Sequence, residues 1–129
     1  MNPMNPILIT GSIIVTFALI FYTMAIFQEQ KTVRFTKKLL IFLTLGITLD
    51  ITATAFMIIG SSNSPFTLHG LLGYSSLTLM FLDTILIWHG KSKKGLNQPI
   101  PLKLHNYSRL AYTWWVLAYI TGAIIAFTN

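Results

Sequence analysis

Residues 64–88, with the sequence SPFTLHGLLGYSSLTLMFLDTILIW, decide the fold predicted for this chain. The stretch is long and apolar enough for one membrane-spanning helix, and it contains His69 and Asp83. These residues are fourteen positions apart. At about 100° and about 1.5 Å per residue they share one helix face and lie about 21 Å apart. Because lipid disfavours such groups, we expect this face to contact another helix or a ligand.

The composition indicates that the whole chain belongs in a membrane. Of its 129 residues, 53% are hydrophobic and 9% are charged, whereas soluble domains contain about 25% charged residues. We predict a single domain over residues 1–129, and the absence of cysteine excludes disulfides and thiolate metal sites. The predicted fold class is an all-α membrane protein, an antiparallel bundle of four transmembrane helices. The predicted spans are about 7–27, 39–60, 65–88 and 108–127.

The basic residues predict how the bundle is oriented. All nine Lys and Arg residues lie in or beside two loops, residues 28–38 and 89–107. The positive-inside rule therefore places both loops in the cytoplasm and both termini outside, in a multi-pass protein. The net charge of +6 then indicates contact with anionic membrane lipid, and we expect no nucleic-acid binding.

Two of the three acidic residues lie inside predicted spans. Asp50 is near the middle of span two, and Asp83 is nearer the cytoplasmic end of span three. An ionised carboxylate at such depth costs at least about 2.5–3.5 kcal/mol, so each must be protonated, paired, or in contact with water or a ligand. An inter-helix hydrogen bond and a proton or ligand-supporting site both satisfy this requirement. Glu29 falls in the first loop, where we expect a solvated residue.

The three histidines differ in their predicted depth. His69 lies one turn inside the outer surface, whereas His89 and His105 lie at the cytoplasmic surface. His89 precedes a lysine-rich run and fits an interfacial residue. His105 is followed by Arg109 one turn along and by Tyr112 on the same face. This pattern suits a haem with its propionates at the cytoplasmic surface, and it equally suits an aromatic belt with a capping histidine.

Motifs in the four spans resemble a known family. In order they are FYT, GxxxDxTxTxxM, LHGLLGYSSLTLMFLD and HNYSRLAYTWWVLAYITG. Their order and spacing resemble the HsmA family, small four-helix bacterial membrane proteins implicated in haem binding and protection against oxidative stress. The resemblance implies a bacterial plasma membrane location and a haem b cofactor. It also implies a role in redox chemistry or in detoxifying oxidants and excess haem.

The resemblance implies a histidine ligand to the haem iron, and two positions stay open. His69 is the candidate for an outer site, with Met57 as a candidate sixth ligand. His105 is the candidate for a cytoplasmic site, with Arg109 as a candidate propionate partner and Tyr112 on the same helix face. Because these histidines lie at opposite ends of the bundle, they cannot both bind one haem.

Other functions also stay open. Asp50 suits a small proton-coupled transporter of cations or drugs, although the small multidrug transporters carry their acid in the first span. A membrane scaffold or regulator is compatible with the sequence, as is a homodimer. In the haem hypothesis, Asp50 and Asp83 handle protons or support the ligand site. The sequence assigns no reaction.

Overall fold

A computed structural model describes residues 6–60 and 68–128, apart from some side chains near the ends of the helices. This part of the chain forms four α-helices: α1 (Pro6–Thr32), α2 (Lys37–Gly60), α3 (Leu68–Lys94) and α4 (Leu102–Thr128). Within these ranges the only β-type pairing is one isolated bridge between Arg34 and Pro99. The predicted all-α class with four helices is therefore confirmed. The predicted start of span three at residue 65 lies outside the described residues.

Much of the surface of the bundle is apolar. Within the described residues, three segments are long and apolar enough to cross a membrane: Ile9–Thr32, Lys37–Ile59 and Gly70–Lys94. Large apolar side chains such as Phe17 and Leu117 are more than half exposed. A soluble monomer rarely exposes so much contiguous apolar surface, so the fold is compatible with the predicted membrane location.

Neighbouring helices run antiparallel. This follows from their contacts, in which residues early in one helix meet residues late in the next. On α1 and α4, Glu29 meets His105 near one end, and Thr16 meets Tyr119 towards the other. The same reversal relates α1 to α2 and α3 to α4. The contacts that show it are Tyr22–Asp50 and Gly11–Met57 for the first pair, and Leu79–Tyr107 and Ser75–Trp114 for the second.

Two short connections lie at the same end of the bundle and bind each other. Residues 33–36 join α1 to α2, and residues 95–101 join α3 to α4. The Phe35 amide donates to the Gln98 carbonyl at 2.9 Å, and the Ile100 amide donates to the Val33 carbonyl at 2.8 Å. We call this end of the molecule the loop end. Both basic loops therefore lie at one end of the bundle, as an antiparallel arrangement requires, and their cytoplasmic location stays a prediction.

The loops are shorter than predicted, and the helices are longer. The predicted loops at 28–38 and 89–107 reduce to 33–36 and 95–101. The prediction was wrong here because it ended each helix where charged residues begin, yet a helix continues readily beyond the lipid. Basic side chains in the last turns of α1 and α3 favour this extension, since they complement the helix dipole. His105 consequently lies within α4 and not in a loop.

Gly46 lets an aromatic ring pack directly against the α2 backbone. A Cβ atom at Gly46 would lie 2.5 Å from Cδ1 of the fully buried Tyr22 ring. Gly73 on α3 differs, because a Cβ atom there would meet nothing within 4 Å. The first glycine therefore sets the distance between α1 and α2, whereas the second does not limit packing.

We expect Gly46→Ala to destabilise the bundle and Gly73→Ala to stabilise it slightly. Both variants gain helix propensity of about 1 kcal/mol, but only the first forces an overpacked core, at about 1–3 kcal/mol. Denaturant-induced unfolding in detergent micelles, followed by circular dichroism, measures the difference. Equal stabilities of the two variants would contradict the close approach of Tyr22 to α2.

Candidate functional site

The chain buries all of its acidic side chains inside the bundle. There are three, and their exposed fractions are 1% for Glu29, 3% for Asp50 and 0% for Asp83. Each carboxyl group has a polar partner on a different helix. The polar interior divides into one cluster around Asp50 and another nearer the loop end.

The first cluster, called here the Asp50 cluster, consists of Asp50, Tyr22 and Trp115. Asp50 Oδ2 accepts hydrogen bonds from the Tyr22 hydroxyl at 2.9 Å and from Trp115 Nε1 at 2.8 Å. The two rings pack edge to face with centroids 4.9 Å apart. Because Asp50 lies on α2, Tyr22 on α1 and Trp115 on α4, one carboxyl oxygen joins three helices.

The second cluster, called here the loop-end cluster, consists of Glu29, Asp83, His105 and Ser108. His105 Nδ1 lies 2.7 Å from Glu29 Oε2. Ser108, which follows His105 by three residues on α4, donates a hydrogen bond to Asp83 Oδ1. With the carboxylate as acceptor, Nδ1 of His105 carries the hydrogen, and Nε2 is then the ring atom suited to bind a metal.

The loop-end cluster contains two buried oxygens that lack a hydrogen-bond donor among the described residues. They are Glu29 Oε1 and Asp83 Oδ2. A buried acceptor without a donor costs about 1–3 kcal/mol, and a charged one costs more. Protonation of a carboxyl group or binding of a ligand would lower this cost. Incomplete pairing is what distinguishes the cluster from an ordinary structural contact.

Glu29 was predicted to be solvated, and that prediction was wrong. Helix α1 continues to Thr32, past the predicted end of the span, so Glu29 remains on a helix. It follows Tyr22 by seven residues, which is close to two full turns, and both therefore face the interior. This spacing was a signal that sequence reasoning missed. Ser108 and Trp115 show the same separation on α4 and provide partners to both clusters.

The residues that the sequence grouped around His105 differ in how deeply they are buried. His105 is buried, whereas Arg109 is exposed. Tyr112 is half-buried, and its hydroxyl lies 2.7 Å from Thr23 Oγ1. His89 is exposed beside an apolar groove of about 340 Å³ at the loop end. The described polar partner of His105 is therefore Glu29, not one of the residues expected around it.

The outer candidate site is only partly described. The backbone of His69 lies in α3, but its side chain is outside the described residues. Met57 is half-buried, and its Cγ atom would lie 3.1 Å from a Cβ atom at Gly11, so Met57 packs towards α1. The pairing of His69 with Met57 stays a prediction.

No group of three or more His, Cys, Asp or Glu side chains that could hold a metal ion occurs in the part of the chain described. A haem site needs only one or two axial ligands, and His105 is the one buried histidine whose side chain is described. Its contact with a carboxyl group is a feature of many metal-ligating histidines.

Comparisons with protein-family models, with curated proteins and with solved structures gave no match. The resemblance to the HsmA family therefore stays a prediction. The fold and the site by themselves define a class: an all-helical bundle with an apolar exterior and an interior that buries carboxyl groups.

We expect Tyr22→Phe to destabilise the protein more than Tyr119→Phe does. Both changes remove a single hydroxyl group. The Tyr22 hydroxyl donates to the buried Asp50, whereas the Tyr119 hydroxyl pairs with Thr16 at an exposed position. Loss of a donor from a buried carboxyl group costs about 1–3 kcal/mol, and loss of the exposed pair costs less. Unfolding curves in detergent test this difference, and equal losses would mean that Asp50 does not depend on Tyr22.

Proposed function

We propose that this chain is a multi-pass membrane protein that binds a b-type haem at the loop end of its bundle, with His105 as an axial ligand. The observation that supports the proposal is the 2.7 Å contact between His105 Nδ1 and the buried Glu29 carboxyl group. The resemblance to the HsmA family supports the same cofactor. The role we infer is redox chemistry or protection against oxidants and excess haem.

His105, held by the Glu29 carboxyl group, has the chemistry of a histidine that binds haem iron. A carboxylate that accepts the Nδ1 hydrogen fixes the orientation of the imidazole ring and increases the basicity of Nε2. Glu29 lies on α1 and His105 on α4, so this alignment depends on the packing of two helices. Because only 8% of His105 is exposed, access to Nε2 requires movement of the helices or loops around it.

The remaining residues have distinct roles in this proposal. A bound haem would supply one-electron chemistry and reaction with oxidants. Arg109 is exposed one turn beyond His105, where its guanidinium can bind a propionate. Asp83 and Ser108, which are hydrogen-bonded to each other, would hold a proton in the same cluster as Glu29. His69 and Met57 remain the candidates for a haem at the opposite end.

The proposal predicts that His105→Ala abolishes haem binding at the loop end, whereas His89→Ala does not. Glu29→Gln keeps the shape of the side chain but removes the carboxylate, so we expect haem affinity to fall about 10- to 100-fold. Titration of the detergent-purified protein with haemin, followed by oxidised and reduced absorption spectra, measures both effects. The exposed His89 serves as the matched control.

Two results would reject or relocate this site. A protein that takes up no added haem would reject the function. Binding that survives His105→Ala but is lost in His69→Ala would move the site to the outer end. Circular dichroism of each variant separates loss of haem from loss of fold.

A second function, proton-coupled transport of a cation or drug, is favoured by the Asp50 cluster. The Asp50 carboxyl group is 3% exposed and accepts donors from two other helices. Protonation would weaken both hydrogen bonds, because a neutral carboxyl group is a poorer acceptor than a carboxylate. The packing of α1, α2 and α4 would then respond to proton binding.

If the protein is such a transporter, Asp50→Asn should eliminate transport driven by a proton gradient. Ethidium movement in proteoliposomes with an imposed pH difference provides the assay. Glu29→Gln is the control, because it removes an acid outside the Asp50 cluster and should leave transport intact. Full transport by folded Asp50→Asn protein would reject a role for this carboxyl group.

A further inference from the structure

A groove with one apolar and one cationic part lies between α1 and α2 at the loop end. The volume of the groove is about 640 Å³. Its apolar wall consists of Met24, Phe27 and Phe42, and its cationic wall contains Lys31 and Lys38 together with two glutamines. Phe27 is 73% exposed, and both lysines are exposed. The groove is therefore open to its surroundings.

The antiparallel pairing of the two helices places like side chains at the same level. On α1, Lys31 follows Phe27 by four residues, and on α2, Lys38 precedes Phe42 by four residues. Each lysine is thus about 6 Å nearer the loop end than its aromatic neighbour. The backbone positions of Phe27 and Phe42 therefore lie at one level of the groove, and those of Lys31 and Lys38 lie at the next.

These lysines have no anionic partner among the described residues. The chain contains nine Lys and Arg residues but three acidic ones, and all three acids are buried in the interior. Glu29 is close to Lys31 in sequence, yet it faces His105 inside the bundle. The ion pair found among the described residues is this Glu29–His105 pair. An anionic group that binds between these lysines would therefore come from another molecule.

We propose that this groove is a binding site for an anionic phospholipid. The phosphate would lie between Lys31 and Lys38, and the acyl chains would lie against Phe27, Phe42 and Met24. The apolar wall favours a lipid over a free phosphate, because a free phosphate has no acyl chain to contact that wall. The proposal uses the membrane location of the protein, but it depends on neither haem nor the Asp50 cluster.

The chain offers a matched control for the charge of the groove. Lys93 and Lys94 are also exposed and adjacent to the loop end, but they lie on α3 and do not line the groove. Lys31→Gln combined with Lys38→Gln removes two positive charges, as does Lys93→Gln combined with Lys94→Gln. A purely electrostatic effect of the membrane surface would respond equally to both pairs.

The test is native mass spectrometry and thermal unfolding of detergent-purified protein titrated with phosphatidylglycerol or phosphatidylcholine. We expect phosphatidylglycerol to bind more tightly and to raise the unfolding temperature more. The groove pair should weaken its binding on the order of 20- to 30-fold, and the control pair less than about twofold. Phe27→Asn should weaken lipid binding without changing net charge.

Three results would overturn the proposal. Equal binding of the two lipids, or equal loss in both lysine pairs, would mean that no specific lipid site exists. Displacement of phosphatidylglycerol by equimolar inorganic phosphate would indicate a site for a free anion. Haem titration of the same variants distinguishes this question from the proposed function, because the groove pair should leave the haem spectrum unchanged.

Discussion

The structure depends on the burial of three carboxyl groups inside a bundle whose exterior is apolar. Such groups are costly in lipid, and each requires donors from neighbouring helices. Asp50 obtains them from α1 and α4, whereas Asp83 obtains one from α4. Because each cluster needs side chains from several helices, polar pairing fixes which helices are neighbours and how they are aligned.

The two clusters differ in how fully they are satisfied, and this difference bears on function. Asp50 Oδ2 accepts hydrogen bonds from two buried aromatic side chains, Tyr22 and Trp115. The loop-end cluster leaves one oxygen of Glu29 and one of Asp83 without a donor among the described residues, and it holds a histidine against a carboxyl group. The first arrangement suits structural linkage and proton-dependent packing. The second arrangement suits a site that binds a ligand.

Basic side chains cluster near the loop end, whereas all three acidic side chains lie in the interior. Helices α1 and α3 extend beyond the predicted spans, and the short loops that follow them bind each other. The basic side chains therefore stand on ordered helix ends close to the expected lipid head groups. If the proposed phospholipid binds in the groove at this position, the groove would link orientation in the membrane to recognition of a particular lipid class.

The sequence by itself determined the four helices and the interior location of Asp50 and Asp83. It also determined that the two basic loops lie at the same end of the bundle. These features follow from apolar length, charge distribution and helical periodicity, all of which are local. Only the tertiary structure decided that Glu29 meets His105, which is 76 residues away in the chain. Helix periodicity shows which residues share a face, but it does not show which helix that face contacts. The partners of Asp50 and the composition of the loop-end cluster were therefore settled by packing.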